Sequence, residues 1–240
     1  IILPAPSWVS YEPHAIIGSN KFHWLETSRE NNWFPTSEQI ERKAKDLKNK
    51  NIILILNSPN NPSGSNCENF EAVAKVAKKY GIIILSDEIY TELTFDREYR
   101  SISKYYPEGT IISSGLSKWC GAGGWRLGFF AVPTKLNSVL KMLKTLSSES
   151  FTAVSSPVQL AAVEAFQGDY SDYLNKTTTI LDAVGNYVYE NLKSNKILMQ
   201  KPEGGFYLMP EFLNSRFKTS SEMCDDILNK SGVALLPGSD

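Results

Sequence analysis

The stretch Ile52-Ile53-Leu54-Ile55-Leu56 is continuously apolar and rich in β-branched side chains, the pattern of a strand covered on both faces. A polar run of Asn, Pro, Gly and Ser follows over residues 57–66. Beyond it Phe70, Val73, Ala74, Ala77 and Tyr80 recur three or four positions apart, which predicts an amphipathic helix. Gly81 is placed to stop that helix, and Ile82-Ile83-Ile84-Leu85 reads as a second buried strand. A strand, loop, helix and strand in this order form a crossover, which implies parallel neighbours and right-handed connectivity. The fold class read from it is α/β.

Working outward, residues 110–113 and 128–132 read as further strands of the same sheet, and residues 1–3 as a strand at the start. Residues 37–49 read as a helix with Ser37 as its cap. The character changes near residue 169. A long helix of mixed polarity is predicted over 170–193, then short strands bracketing Pro202-Glu203-Gly204-Gly205, then a helix near 220–230. The expected organisation is a three-layer large domain with a mostly parallel sheet over residues 1–168, and the start of a smaller α+β domain over 169–240. Residue 1 is not methionine and the chain stops at Pro237-Gly238-Ser239-Asp240, so both ends read as cut. No internal repeat is evident.

The 240 residues are 42% hydrophobic, 11% aromatic and 21% charged, an ordinary globular balance that excludes low-complexity disorder, collagen and coiled coil. No apolar run approaches the roughly 18–20 residues that span a bilayer. With 25 basic against 26 acidic residues, there is no bulk electrostatic case for nucleic acid or a membrane surface. Cys67, Cys120 and Cys224 are scattered and odd in number, which points to a reducing compartment and a cytoplasmic location. Two histidines, His14 and His23, give no basis for a structural zinc site, and no metal is expected.

In open α/β sheets ligands bind beyond the carboxyl ends of the strands, and unusual residues fall there. Asn57-Ser58-Pro59-Asn60-Asn61-Pro62-Ser63-Gly64 follows one predicted strand and Ser86-Asp87-Glu88-Ile89-Tyr90 another. Ser113-Ser114-Gly115-Leu116-Ser117-Lys118 follows a third, and Gly121-Ala122-Gly123-Gly124-Trp125-Arg126-Leu127-Gly128 comes next. Taken singly, each has a bland reading: a turn, an N-cap at Asp87, a solvated lysine, a structural ion pair at Arg126. Their succession at consecutive strand ends is what singles them out, because amide, carboxylate, phenol, amine and guanidinium then converge on one crevice.

Together these segments resemble the signature of the class I/II aminotransferases, fold-type I enzymes that use pyridoxal 5′-phosphate (PLP). The likeness runs over essentially the whole chain, from Pro6-Ser7-Trp8-Val9-Ser10-Tyr11 to residues 202–207, and looks closest to the bacterial-type aspartate aminotransferase branch. The resemblance implies that Lys118 forms the Schiff base with the cofactor aldehyde and, once displaced, serves as general base. Asp87 is implied to face the pyridine nitrogen. A carboxylate ~4 Å away at an effective dielectric of about 20 contributes roughly 4 kcal/mol, about three pKa units in favour of the protonated ring. Tyr90 and Asn61 are implied to hydrogen-bond the phenolic oxygen, Arg126 to grip the phosphate as a planar fork, and Trp8 to stack on the ring. Gly124 and Gly128 are expected to let backbone approach closely. Tyr11 is expected to pack rather than to take part in the chemistry.

The sequence departs from the pattern in places. A serine or threonine that binds phosphate in many relatives is replaced by Gly115, leaving Ser117 or Ser114 to substitute. The Gly-rich phosphate-binding helix start, and the C-terminal arginine for the substrate carboxylate, do not occur in these 240 residues, so the isolated chain is expected to turn over weakly or not at all. Residues 147–157 carry no arginine for a distal carboxylate. The implied activity is transfer of an amino group between an L-amino acid and a 2-oxo acid, in amino-acid metabolism or biosynthesis, by a homodimer. A carbon–sulfur β-lyase or synthase on the same framework is the nearest alternative, and a non-catalytic PLP-binding regulatory domain is another. A nicotinamide-binding domain predicts Gly-x-Gly-x-x-Gly directly after the first strand, which this sequence lacks.

Overall fold

The computed structural model describes residues 1–48 and 50–239. The first half alternates strand and helix: β1 (Ile2–Ala5), α1 (Tyr11–Ile17), β2 (His23–Glu26), α2 (Ser37–Asp46), β3 (Ile53–Asn57), α3 (Phe70–Tyr80), β4 (Ile83–Asp87), β5 (Thr110–Gly115) and β6 (Gly128–Ala131). The second half is mainly helical, with α4 (Asn137–Ser150), α5 (Ser156–Gln167) and α6 (Ser171–Leu192), then β7 (Ile197–Leu198), β8 (Glu211–Phe212) and α7 (Ser220–Ser231). Among the described residues no helix is long and apolar enough to cross a membrane.

Six strands form one sheet in the order β2-β1-β3-β4-β5-β6. All neighbours are parallel except β5 and β6, which pair antiparallel through Gly115 and Gly128. The central position of β3 follows from its apolar run, since successive side chains point to opposite faces. Leu54 and Leu56 enter a core with Ile40 and Ala44 of α2 and with Phe70, Val73, Ala74 and Ala77 of α3. Ile55 enters a separate cluster with Leu3 and Tyr11. Burying a side chain such as Val73 or Phe70 contributes about 1.5–3 kcal/mol, which fixes α3 against the sheet. Gly81 ends α3 in the left-handed region at φ 63°, a conformation that suits glycine.

The cap of α2 differs from the sequence reading. Thr36, not Ser37, is the N-cap: its hydroxyl accepts from the Gln39 backbone N–H while the Gln39 side chain accepts from the Thr36 N–H. This reciprocal arrangement satisfies two otherwise unpaired donors. The helix ends at Asp46, and Asn49, included in the predicted span, lies outside the described residues, as does Asp240.

The strand order reverses at β1, with β2 on one side and β3 on the other. Such a switch point leaves a crevice outside the carboxyl ends of the strands. The segment containing Trp8 leaves β1 there, and residues 57–66 leave β3 beside it.

Candidate active site

Strand register brings the candidate residues level. Asn57 stands opposite Asp87, and Asp87 opposite Ser113, so β3 and β4 end level while β5 runs two residues further to Gly115. Pleating sends successive side chains to opposite faces, which separates Asp87 from Glu88. Asp87 Oδ2 accepts from the Tyr11 hydroxyl at 2.6 Å, and Oδ1 accepts from the Ile89 backbone N–H at 3.3 Å. Glu88 is buried instead among three hydroxyl donors, Ser86 at 2.8 Å, Ser101 at 2.6 Å and Tyr99 at 2.7 Å. It locks the strand end from behind.

Burial raises the Asp87 carboxyl above its ordinary value, opposed by hydrogen bonds from Tyr11 and Ile89 and by the charge of Lys118. A carboxylate in this position is costly to ionise until a cation faces it. Tyr11 therefore does more than pack. Its phenol, raised in turn by burial and by the Asp87 charge, holds the carboxylate in one orientation, contrary to the sequence reading.

Lys118 sits on the loop between β5 and β6. Its neighbours Leu116 and Trp119 are buried in a cluster with Tyr90, Leu93 and Leu127, which holds the loop while leaving the lysine partly exposed. Lys118 Nζ lies 5.6 Å from the Tyr90 ring centroid and 5.6 Å from that of Phe206. Burial first, then a hydrogen bond to Tyr207, pushes the Tyr90 phenol well above its ordinary value, while the Asn61 side chain pulls it down. The Asn61 backbone N–H donates to Asn57 Oδ1 at 2.7 Å, so the loop after β3 is tied to its own strand end. Asp87, Lys118, Tyr90 and Asn61 thus form one linked group.

Trp8 joins it through Tyr11, whose ring it meets edge-on at 5.4 Å, and remains 40% exposed. Arg126 adopts the left-handed region at φ 56° and donates from Nη1 to the Gly123 carbonyl at 2.6 Å. Its partner is a carbonyl rather than the carboxylate of a structural ion pair. Ser117 is partly buried. Among the described residues no side-chain hydrogen bond links Ser117 or Arg126 to Asp87 or Lys118. Phe206 and Tyr207 complete the aromatic wall and had no role in the sequence reading. Their ring centroids stand 5.5 Å from that of Tyr90.

The expectation of close backbone approach holds at Gly128 and not at Gly124, and Gly115, not singled out for it, is tighter still. A Cβ on Gly124 would meet nothing within 4 Å, whereas one on Gly128 would lie 3.2 Å from the Ser114 carbonyl oxygen and one on Gly115 only 2.6 Å from that of Leu127. Gly115 is therefore required by the close pairing of β5 with β6, and a serine hydroxyl has no room there. Gly115→Ser is expected to destabilise the protein by about 1–3 kcal/mol through forced backbone shifts. At about 2–4 °C per kcal/mol for a chain of this size, thermal denaturation shows the loss directly, and an unchanged Tm would contradict the packing argument.

The chain matches the family model for aminotransferase class I and II over residues 1–240. It is 31% identical to an aspartate aminotransferase of Bacillus sp. (strain YM-2), over 100% of this chain and 62% of that protein. It is 32% identical to a probable N-acetyl-LL-diaminopimelate aminotransferase of Bacillus subtilis, over 100% of this chain and 59% of that protein. Among solved structures, a Thermus thermophilus aspartate aminotransferase mutant superposes with a TM-score of 0.91 at 26% identity, covering 99% of this chain and 64% of the other. The aspartate aminotransferase of Rhizobium meliloti gives 0.90 at 25% identity, covering 99% and 62%.

Proposed function

The chain belongs to the class I and II aminotransferases, and from that premise we propose that it binds PLP and transfers an amino group between an L-amino acid and a 2-oxo acid. The observation that carries the reading is the grouping of Lys118, Asp87, Tyr90 and Asn61 around the switch point of the sheet. The donor set fits the cofactor: a partly buried carboxylate that calls for a cationic partner, a phenol and an amide side by side, and an amine over the phenol ring.

Bound PLP supplies an aldehyde for covalent attachment and a ring that accepts electrons from the substrate α-carbon. Lys118 Nζ would anchor that aldehyde and, once free, would be the base for the α-carbon proton. Asp87, oriented by Tyr11, would hold a proton on the ring nitrogen. Tyr90 and Asn61 would hydrogen-bond the phenolic oxygen, Trp8 would stack on the ring, and Arg126 with Ser117 or Ser114 would bind the phosphate. A homodimer and a cytoplasmic setting belong to the same reading. Exposed apolar side chains on α4 to α6, among them Leu146, Leu160 and Ile180, support assembly with further polypeptide. The division into a large domain over residues 1–168 and a small one over 169–240 is supported by the separate β7–β8 sheet.

Product analysis tests the activity. On adding an L-amino acid to PLP-loaded protein without an oxo acid, we expect whatever 2-oxo acid forms, slowly, to stop at one equivalent, with no free ammonia. Continuous release of ammonia with the oxo acid would overturn transamination in favour of a lyase.

A further inference from the structure

Tyr207 reaches the site from a segment far downstream of the strand ends. Its hydroxyl is 2.7 Å from that of Tyr90, and the two rings meet edge-on at 88°. The segment that carries it is seated without slack on the loop after β3. The Gly64 carbonyl accepts from the backbone N–H groups of Glu203 at 2.8 Å and Gly204 at 3.0 Å, and the Leu93 carbonyl accepts from that of Gly205 at 3.1 Å. The Glu203 carboxylate accepts from the Asn66 backbone at 2.6 Å and the Asn32 amide at 3.1 Å. Gly64, at φ +72°, could not carry a side chain here, because its Cβ would lie 2.5 Å from the Tyr207 carbonyl oxygen. The backbone leading into Tyr207 is thereby held on the loop after β3 and on Leu93, and the hydroxyl meets that of Tyr90.

From this geometry we infer that Tyr207 is a positioning residue that acts on the cofactor site through Tyr90, its hydroxyl setting which way the Tyr90 O–H points. The inference rests on the PLP reading above. Either phenol can donate to the other. When Tyr90 donates to Tyr207, its proton is turned away from the crevice. When Tyr207 donates, the Tyr90 oxygen is satisfied and its own proton is free to face a negatively charged oxygen in the crevice. Two O–H bonds in series then reinforce each other, by about 10–30% per bond. The exchange needs only rotation of two hydroxyls, and Tyr207, partly exposed at the rim, can take a compensating partner from solvent.

Tyr207→Phe deletes the hydroxyl and leaves the ring. In PLP-loaded protein the pH midpoint of the bound cofactor's visible band is expected to rise by roughly half a unit. A weaker donor leaves the phenolic oxygen more negative, so it holds the neighbouring proton more tightly. The same change on a Tyr90→Phe background is expected to move nothing. An unmoved midpoint, or an equal shift in both backgrounds, overturns the inference, because a merely structural role does not depend on the Tyr90 hydroxyl. In cofactor-free protein the ¹³C resonance of the hydroxyl-bearing carbon of Tyr90 is expected to shift in Tyr207→Phe, and an unchanged resonance likewise overturns it. Lack of any visible band in the parent protein counts against the PLP reading instead, and the Tyr90 resonance still decides whether Tyr207 governs that phenol.

Discussion

Lys118→Ala is expected to abolish covalent attachment of PLP and to lower the weak transamination expected of this chain by at least the factor of about 10²–10⁴ that one positioned acid–base group supplies. The structure says why the loss falls on chemistry rather than folding. Lys118 is partly exposed, and the loop is held by its buried neighbours Leu116 and Trp119, which the substitution leaves alone. Nζ faces the rings of Tyr90 and Phe206 and, among the described residues, forms no salt bridge; Asp87, which feels its charge, keeps its hydrogen bonds from Tyr11 and Ile89. Steady-state rates together with a thermal melt check both halves of the expectation. A variant with turnover within tenfold of the parent would show that another group moves the proton.

Asp87→Asn is the second large effect. A ring nitrogen held ~4 Å from this carboxylate at an effective dielectric of about 20 would gain roughly 4 kcal/mol from it. At 1.36 kcal/mol per decade, turnover is expected to fall by about three orders of magnitude. The asparagine nearly matches the aspartate in shape, so the strand end persists, but only one of its two polar atoms accepts. Tyr11 and the Ile89 N–H both donate to Asp87, and one of them must reorient or lose its partner, at a structural cost of about 1–3 kcal/mol. Turnover measured alongside a thermal melt separates the two contributions. A rate loss below tenfold would remove Asp87 from the ring nitrogen.

The parts of the fold legible in the sequence are those whose signal is local. The strand–helix–strand unit of β3, α3 and β4 is written in continuous apolar runs, a helical repeat and a stop glycine, each of which acts within one element. The motifs at the strand ends were legible for a related reason: the sheet topology turns a linear succession into a shared crevice. What could not be read depends on distance along the chain. Tyr11 and Asp87 are 76 positions apart, and Tyr90 and Tyr207 117 apart, so no spacing rule connects them. The α2 cap was misplaced by one residue because Thr36 and Ser37 are both good cap residues, and only the reciprocal bond from Gln39 decides between them. Gly115 read as a missing phosphate ligand until the register of β5 against β6 showed the carbonyl that excludes a side chain.

Reductive trapping tests the account at its centre. PLP is added to the protein, borohydride fixes any imine, and the digest is mapped by mass spectrometry. The expected result is a single pyridoxyl-modified peptide carrying the label on Lys118. A label on a different lysine, or none at all, would contradict the assignment of this amine as the cofactor's anchor.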